Sequence, residues 1–136
     1  MSSKKITTLH VSSSRKVQLI DITPEVSEVV RKSGVSEGVC HIFVPHTTAG
    51  VTINENADPD VVADIAMGLE HIVPSRLNYQ HVEGNSPGHI KSSVMGCSES
   101  VFVSGGKLVF GTWQGVYFCE FDGPRSRRVL LKIVEG

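Results

Sequence analysis

Three nearly unbroken apolar runs constrain this chain more than any other feature: Val39 to Val44, Val116 to Phe121 and Val129 to Val134. A half-solvated strand alternates apolar and polar side chains, whereas a run without that alternation needs cover on both faces. Each run is too apolar to stand as a solvated sheet edge, so each is expected to be paired and covered. A chain of 136 residues has room for one core, which predicts one domain over residues 1–136. Its sheet is expected to include segments 38–44, 107–110, 115–121 and 128–134.

Weaker signals fill the intervals. Ile6, Leu9 and Val11, then Val17, Leu19 and Ile20, read as two opening strands around a Ser12-Ser13-Ser14 turn. Val51 to Ile53 reads as a short strand, and Ser104-Gly105-Gly106 as a hairpin turn before Lys107. Thr23-Pro24-Glu25 opens a helix with Thr23 as the expected cap, and Gly34 stops it. A second helix starts at Asp58-Pro59 and runs to His71, with Val61, Val62, Ile65, Leu69 and Ile72 on its expected buried stripe and Pro74 beyond its end. Residues 75–87 read as irregular, and His89 to Val94 is ambiguous between strand and helix. Strands outnumber helices without regular alternation, which predicts an α+β fold with a mainly antiparallel sandwich or barrel-like sheet and two or three helices.

Composition excludes several classes. Thirteen Lys+Arg stand against 14 Asp+Glu, a net charge of -1, so no broad basic field exists for nucleic acid or an anionic membrane. The first ten residues carry Lys4 and Lys5 with no apolar stretch after them, and no run is long enough to span a bilayer. A cytoplasmic location is therefore the expectation. Cys40, Cys97 and Cys119 are widely spaced and odd in number, which suggests neither a disulfide framework nor a cysteine zinc knuckle.

Three polar blocks are candidates for chemistry. The first places His46 at the end of a buried strand, followed by Thr47, Thr48, Asn54, Glu55 and Asn56; Asp58, just before Pro59, reads first as a helix start. The second sets His81 and His89 on either side of a turn-rich stretch. Imidazole is the commonest metal ligand, yet this spacing matches no short metal motif, and a single loop histidine is usually just solvated. The third combines Trp113 in a glycine-flanked loop with Glu120 at a strand end and Arg125, Arg127 and Arg128 beyond a tight turn. Arginine forks bind phosphate bidentately, although three arginines in four residues also suit a solvated rim.

These blocks together resemble the YjbQ-like family, a family of uncharacterised proteins whose bacterial members are described as secondary thiamine-phosphate synthases. The resemblance rests on His46 to Asn56, on Glu83-Gly84-Asn85-Ser86 with His89-Ile90-Lys91-Ser92-Ser93, on Gly111-Thr112-Trp113-Gln114, and on Glu120 to Arg125. Where members of that family carry Ala-His, this chain has Gly88-His89, which keeps His89 in place. The resemblance implies a jelly-roll-like domain, a homotrimer, a metal-associated site in some members and a thiamine-phosphate synthase activity.

Such a transferase needs positive charge on a leaving diphosphate and an aromatic wall for a heterocycle. On that reading, His46, His81 and His89 hold a divalent metal, expected to be zinc. Glu120 orients a ligand or acts as a base, and Asn54 and Asn56 orient substrate. Arg125, Trp113, Thr47 and Thr48 bind a small phosphorylated molecule. Two other readings compete: a non-enzymatic metal- or ligand-binding homotrimer, and a metal-dependent hydrolase using the same histidines with Glu120 as base. The convergence or scatter of the three histidines in space separates them.

Overall fold

A computed structural model describes residues 5–136. Its elements run β1 (Thr7–Ser12), β2 (Gln18–Asp21), α1 (Thr23–Ser33), β3 (Gly38–Phe43), β4 (Ala49–Glu55), α2 (Pro59–Ile72), α3 (Ser86–Met95), β5 (Ser98–Ser104), β6 (Lys107–Leu108), β7 (Gln114–Glu120) and β8 (Ser126–Glu135). One sheet has the order β1-β8-β3-β5-β6 and the other β2-β7-β4. Every pairing is antiparallel. The fold is α+β, with three helices among the described residues, and none of them is long and apolar enough to cross a membrane.

Period-two side-chain placement explains the core. Val129, Leu131 and Ile133 of β8, Cys40 and Ile42 of β3, Val101 and Val103 of β5, and Val116 and Phe118 of β7 all point into one cluster shared by the two sheets, with Val26 and Val30 of α1. The opposite face of β7 carries Tyr117 and Cys119, which join Phe121 and Leu69 of α2 in a second cluster. Strand β7 is thus covered on both sides, as its unbroken apolar run requires. The other two runs are paired but only half covered: Phe43 and Val134 remain exposed on the outer face of their sheet.

The first two helices start differently. Asp58 caps α2, accepting the Asp60 backbone N–H at 2.9 Å with Pro59 behind it. Thr23 is not the cap of α1. It is the first helical residue, and its Oγ1 accepts the Val116 N–H of β7 at 2.8 Å, so a tertiary bond takes the side chain expected to cap locally. The hairpin at Gly105-Gly106 holds both residues at positive φ, 59° and 78°, which glycine tolerates and other residues resist.

Helix α3 resolves the segment that was ambiguous in sequence. Its buried positions are Gly88, Lys91 and Ser92, so it carries no apolar stripe to announce it. Polar bonds dock it instead. Ser92 Oγ donates to the Ala49 carbonyl at 2.6 Å, and Lys91 Nζ donates to Glu70 of α2 at 2.9 Å. Close approach completes the contact: a Cβ on Gly50 would lie 2.5 Å from the Gly96 carbonyl oxygen, the same oxygen that accepts the Val51 N–H at 3.1 Å. Backbone on both sides leaves nothing to yield cheaply. Gly50→Ala is therefore expected to destabilise the fold by about 1–3 kcal/mol, read as a lower urea midpoint with an unchanged slope. An unchanged midpoint would show that the α3–β4 contact is looser than described.

Candidate functional site

Strand β3 ends at Phe43, and the chain from Val44 to Thr48 crosses to β4, leaving an open cleft of about 570 Å³. His46, Thr47, Asn85, His89, Cys97 and Arg125 line it, with Glu83 at the rim and Arg127 at the floor. Asn85 and His89 come from the N-terminal turn of α3. That turn has no acidic residue of its own and no side-chain cap, and the nearest carboxylate on it is Asp122, bonded to Asn85. A larger hollow of about 820 Å³ lies between α1 and the β5–β6 turn, but its Arg31 is tied to Glu28 and it gathers no imidazoles.

Beneath the cleft lies a closed polar network. Strand period puts Arg127 on the same face as Val129 and Leu131, and Glu120 on the same face as Val116 and Phe118, so both charges enter the space between the sheets. The Arg127 guanidinium donates to both Glu120 oxygens, at 2.8 and 2.5 Å, and to Thr48 Oγ1 at 2.8 Å. Glu120 also accepts from Ser13 Oγ and from the Asp122 N–H. Burial pushes the Glu120 carboxyl upward, but the bonds from Arg127, Asp122 and Ser13 outweigh it and hold the group below its ordinary value.

Asp122 organises the cleft's edge. It accepts from Asn85 Nδ2 at 2.9 Å and from Arg125 at 3.0 Å, and pairs with Lys16 at 3.4 Å. Burial raises this carboxyl, and those three partners together bring it below its ordinary range. Arg125 keeps its side chain half exposed and also donates Nε to the Asp122 carbonyl at 2.8 Å, which fixes the guanidinium at the mouth of the cleft.

His46 faces the same space, and its Nε2 accepts the Arg128 backbone N–H at 2.9 Å. Burial lowers its pKa, and the charges of Arg127 and Arg128 lower it further. His89 packs edge-on against His81, with ring centroids 5.3 Å apart, and His81 Nε2 meets Glu83 at 3.1 Å.

The expected residues therefore divide. His46, His89, Thr47 and Arg125 share the cleft, and His81 does not line it but packs edge-on against His89. Thr48 faces it but spends its hydroxyl on Arg127. Glu120, expected as a base, is fully buried and saturated by three partners, so it positions Arg127 rather than meeting solvent. Asn54, Asn56 and Trp113 lie at the other end of β4, about 20 Å of strand away. There Asn54 accepts its neighbour's N–H, Asn56 bonds Asp21, and Trp113 is exposed.

Sequence reasoning passed over Asn85, Asp122 and Cys97 as site residues. Asp122 looked like a turn residue, Cys97 has no local pattern, and only the Glu83-Gly84-Asn85-Ser86 block pointed toward Asn85. Cys40 and Cys119 are inert core groups, with burial pushing each thiol to about 12.

The family model described as "UPF0047 protein YjbQ-like" matches residues 7–136. The chain belongs to the YjbQ-like UPF0047 family. It is 49% identical over 124 residues to a UPF0047 protein of Methanocaldococcus jannaschii, covering 91% of this chain and 90% of that one. It is 46% identical to the UPF0047 protein YugU of Bacillus subtilis, covering 93% and 97%. Among solved structures, a YjbQ/UPF0047 family protein of Clostridium acetobutylicum superposes with a TM-score of 0.92 at 53% identity, covering 94% of this chain and 99% of that one. A protein of unknown function from Sulfolobus solfataricus superposes at 0.93 with 32% identity, covering 97% of each.

These findings correct the expected function. The UPF0047 relatives carry no thiamine-phosphate synthase or other transferase activity in their names, and the Sulfolobus protein is described as of unknown function. Among the described residues no group of three or more His, Cys, Asp or Glu side chains is arranged to hold a metal ion. His46 has its Nε2 on a backbone N–H, and His81, with its Nε2 on Glu83, packs edge-on against His89. The metal-dependent hydrolase reading finds no such group to rest on among the described residues.

The buried pair sets a sharp expectation. Arg127→Met strands Glu120 without its cation and should cost about 3–5 kcal/mol in urea unfolding, whereas Glu120→Leu combined with Arg127→Met should recover most of that loss. Costs that simply add in the double variant would mean that the two charges are not coupled.

Proposed function

We propose that this chain is an anion-binding domain whose cleft takes a small phosphorylated molecule. One observation carries the reading: Arg125, the imidazoles of His46 and His89 and the uncapped start of α3 surround one open cleft, and the nearby carboxylates are already engaged. Glu83 meets His81, Asp122 meets Asn85, Arg125 and Lys16, and Glu120 meets Arg127. An incoming anion thus finds donors whose own counter-charges are spoken for at fixed distances, and little reorganisation is needed to receive it. Thr47 adds an exposed hydroxyl at the same rim.

Titration calorimetry with inorganic phosphate and pyrophosphate tests this. Arg125→Ala removes a charge-assisted donor worth about 1.5–3 kcal/mol, so affinity should fall by about tenfold to a hundredfold. Trp113→Ala, at the far end of β4, should leave affinity unchanged. Equal affinity in the Arg125 variant, or no binding at millimolar phosphate, would overturn the reading.

Self-association as a homotrimer belongs to the same proposal. Phe102 and Trp113 are 70% and 62% exposed, and Met67 and Ile72 of α2 are 67% and 68% exposed. Large apolar side chains exposed on different elements suit a heterologous contact, which closes into a ring of three when each contact turns the next copy by a third of a circle. Sedimentation equilibrium at micromolar concentration should return three times the 14.7 kDa chain mass; a monomer there would count against it.

A further inference from the structure

Strand β8 pairs with β3 up to Leu130 opposite Phe43, and there β3 ends. Two residues earlier on β8, Arg128 lies opposite His10 of β1 on one side and has no strand on the other. In an antiparallel ladder a residue turns its N–H toward one neighbour only. The Arg128 N–H turns away from β1, toward the position a longer β3 would have occupied. Pro45 leads the chain away at that point, and the donor would be left without a partner. The His46 ring fills the place of the missing strand, taking that N–H on Nε2 at 2.9 Å.

An imidazole nitrogen that accepts a hydrogen bond carries no proton. A neutral ring then carries its single proton on Nδ1, and a charged ring would set two donors against each other at Nε2. We propose that His46 is a tautomer-locked specificity residue: the fold holds it neutral with the proton on Nδ1, and that N–H serves the cleft as a donor fixed to receive an oxyanion oxygen. The role differs from that of a metal ligand or a general base, since both require a free lone pair. It rests on the anion-cleft reading for its ligand, but the tautomer itself is a property of the empty protein. Two further observations agree with it. His46 is half buried on the cleft wall, and its surroundings disfavour the charged ring, through burial first and then through Arg127 and Arg128. The backbone donor is the stronger argument because it is geometric: with the Arg128 N–H seated on Nε2, that nitrogen carries no proton.

The consequence is a preference for groups that only accept. A ligand group that presents its own hydrogen to His46 meets a second hydrogen there, whereas a phosphate oxygen completes the bond. His89 and Arg125 across the cleft supply further donors, so an oxyanion is matched from several directions at once.

The test has two arms. Long-range proton–nitrogen correlation spectra of the nitrogen-15-labelled, ligand-free protein at pH 7 should show His46, assigned by the loss of its signals in a variant, with a protonated Nδ1 and an unprotonated Nε2. An Nε2–H ring or a charged ring would overturn the proposal. The second arm uses inorganic phosphate. In His46→Asn the side-chain amide takes the place of Nδ1 and keeps a donor there without the bond to Arg128, so affinity should fall by less than in His46→Gln. In His46→Gln the amide reaches the place of Nε2, serves Arg128 and leaves the cleft without the donor, so affinity should fall by about tenfold or more. If the two variants weaken binding alike, or neither does, while Arg125→Ala still weakens it, the donor role is wrong and the anion cleft stands. If phosphate fails to bind the parent protein, the cleft reading and the donor role fall together, whatever tautomer the spectra show.

Discussion

Arg127 and Glu120 meet where two sheets converge, and the geometry around them follows from that contact. Each is placed by strand periodicity on a face otherwise filled by valine, leucine and phenylalanine. Neither charge is tolerable there alone, because a buried ion without a partner costs several kcal/mol. Together they close a set of bonds that reaches Ser13 after β1, Thr48 before β4, and the Asp122 backbone after β7. Four separated stretches of chain are thereby held to one point. Such a network does not argue for high stability, since an apolar pair of similar volume often serves as well. Its contribution is positional: it sets the start of β4 and the turn after β7, from which the cleft's donors project.

A second rank of contacts builds on that base. Asp122 follows Glu120 by two residues and lies just outside the core, where it gathers Asn85, Arg125 and Lys16. The Ser13 hydroxyl and the Arg125 backbone are bonded to each other as well, so the turn carrying Arg125 is tied to the end of β1. Helix α3 then brings its positive end to the same place, held by Ser92 on the Ala49 carbonyl and Lys91 on Glu70. Its close fit over Gly50 leaves no room for a side chain. The cleft's donors are thus gathered locally, with Asp122 and Glu120 turned to partners in the fold and Glu83 at the exposed rim.

His46 illustrates how one residue answers a backbone requirement and shapes a site together. A sheet edge leaves unpaired donors wherever a neighbouring strand stops short. Here the strand stops at Phe43, and the side chain three residues later occupies the vacated position. The ring is therefore part of the ladder on one side and part of the cleft on the other. Its chemistry in the cleft is dictated by its bond to the ladder.

The sequence by itself determined the elements whose signals are local. Apolar runs located β7 and β8, Asp58-Pro59 started α2, Gly34 ended α1, and paired glycines made the β5–β6 turn. The same residues gave the α+β class, and four separate blocks marked the family. Local signals also marked His46, His89, Thr47 and Arg125 as candidates. What only the tertiary structure decided is which of those candidates meet. Glu120 and Arg125 stand five positions apart, yet one is sealed between sheets and the other opens to solvent, because strand parity and the turn at 121–125 send them in different directions. Asn54 and Thr48 lie in one block, yet an extended strand carries them to opposite ends of a sheet. Helix α3 was not legible because polar bonds and a glycine contact, not an apolar stripe, dock it. A one-dimensional pattern records which side chains want burial, and it does not record which distant backbone atom will satisfy a buried charge or an unpaired N–H.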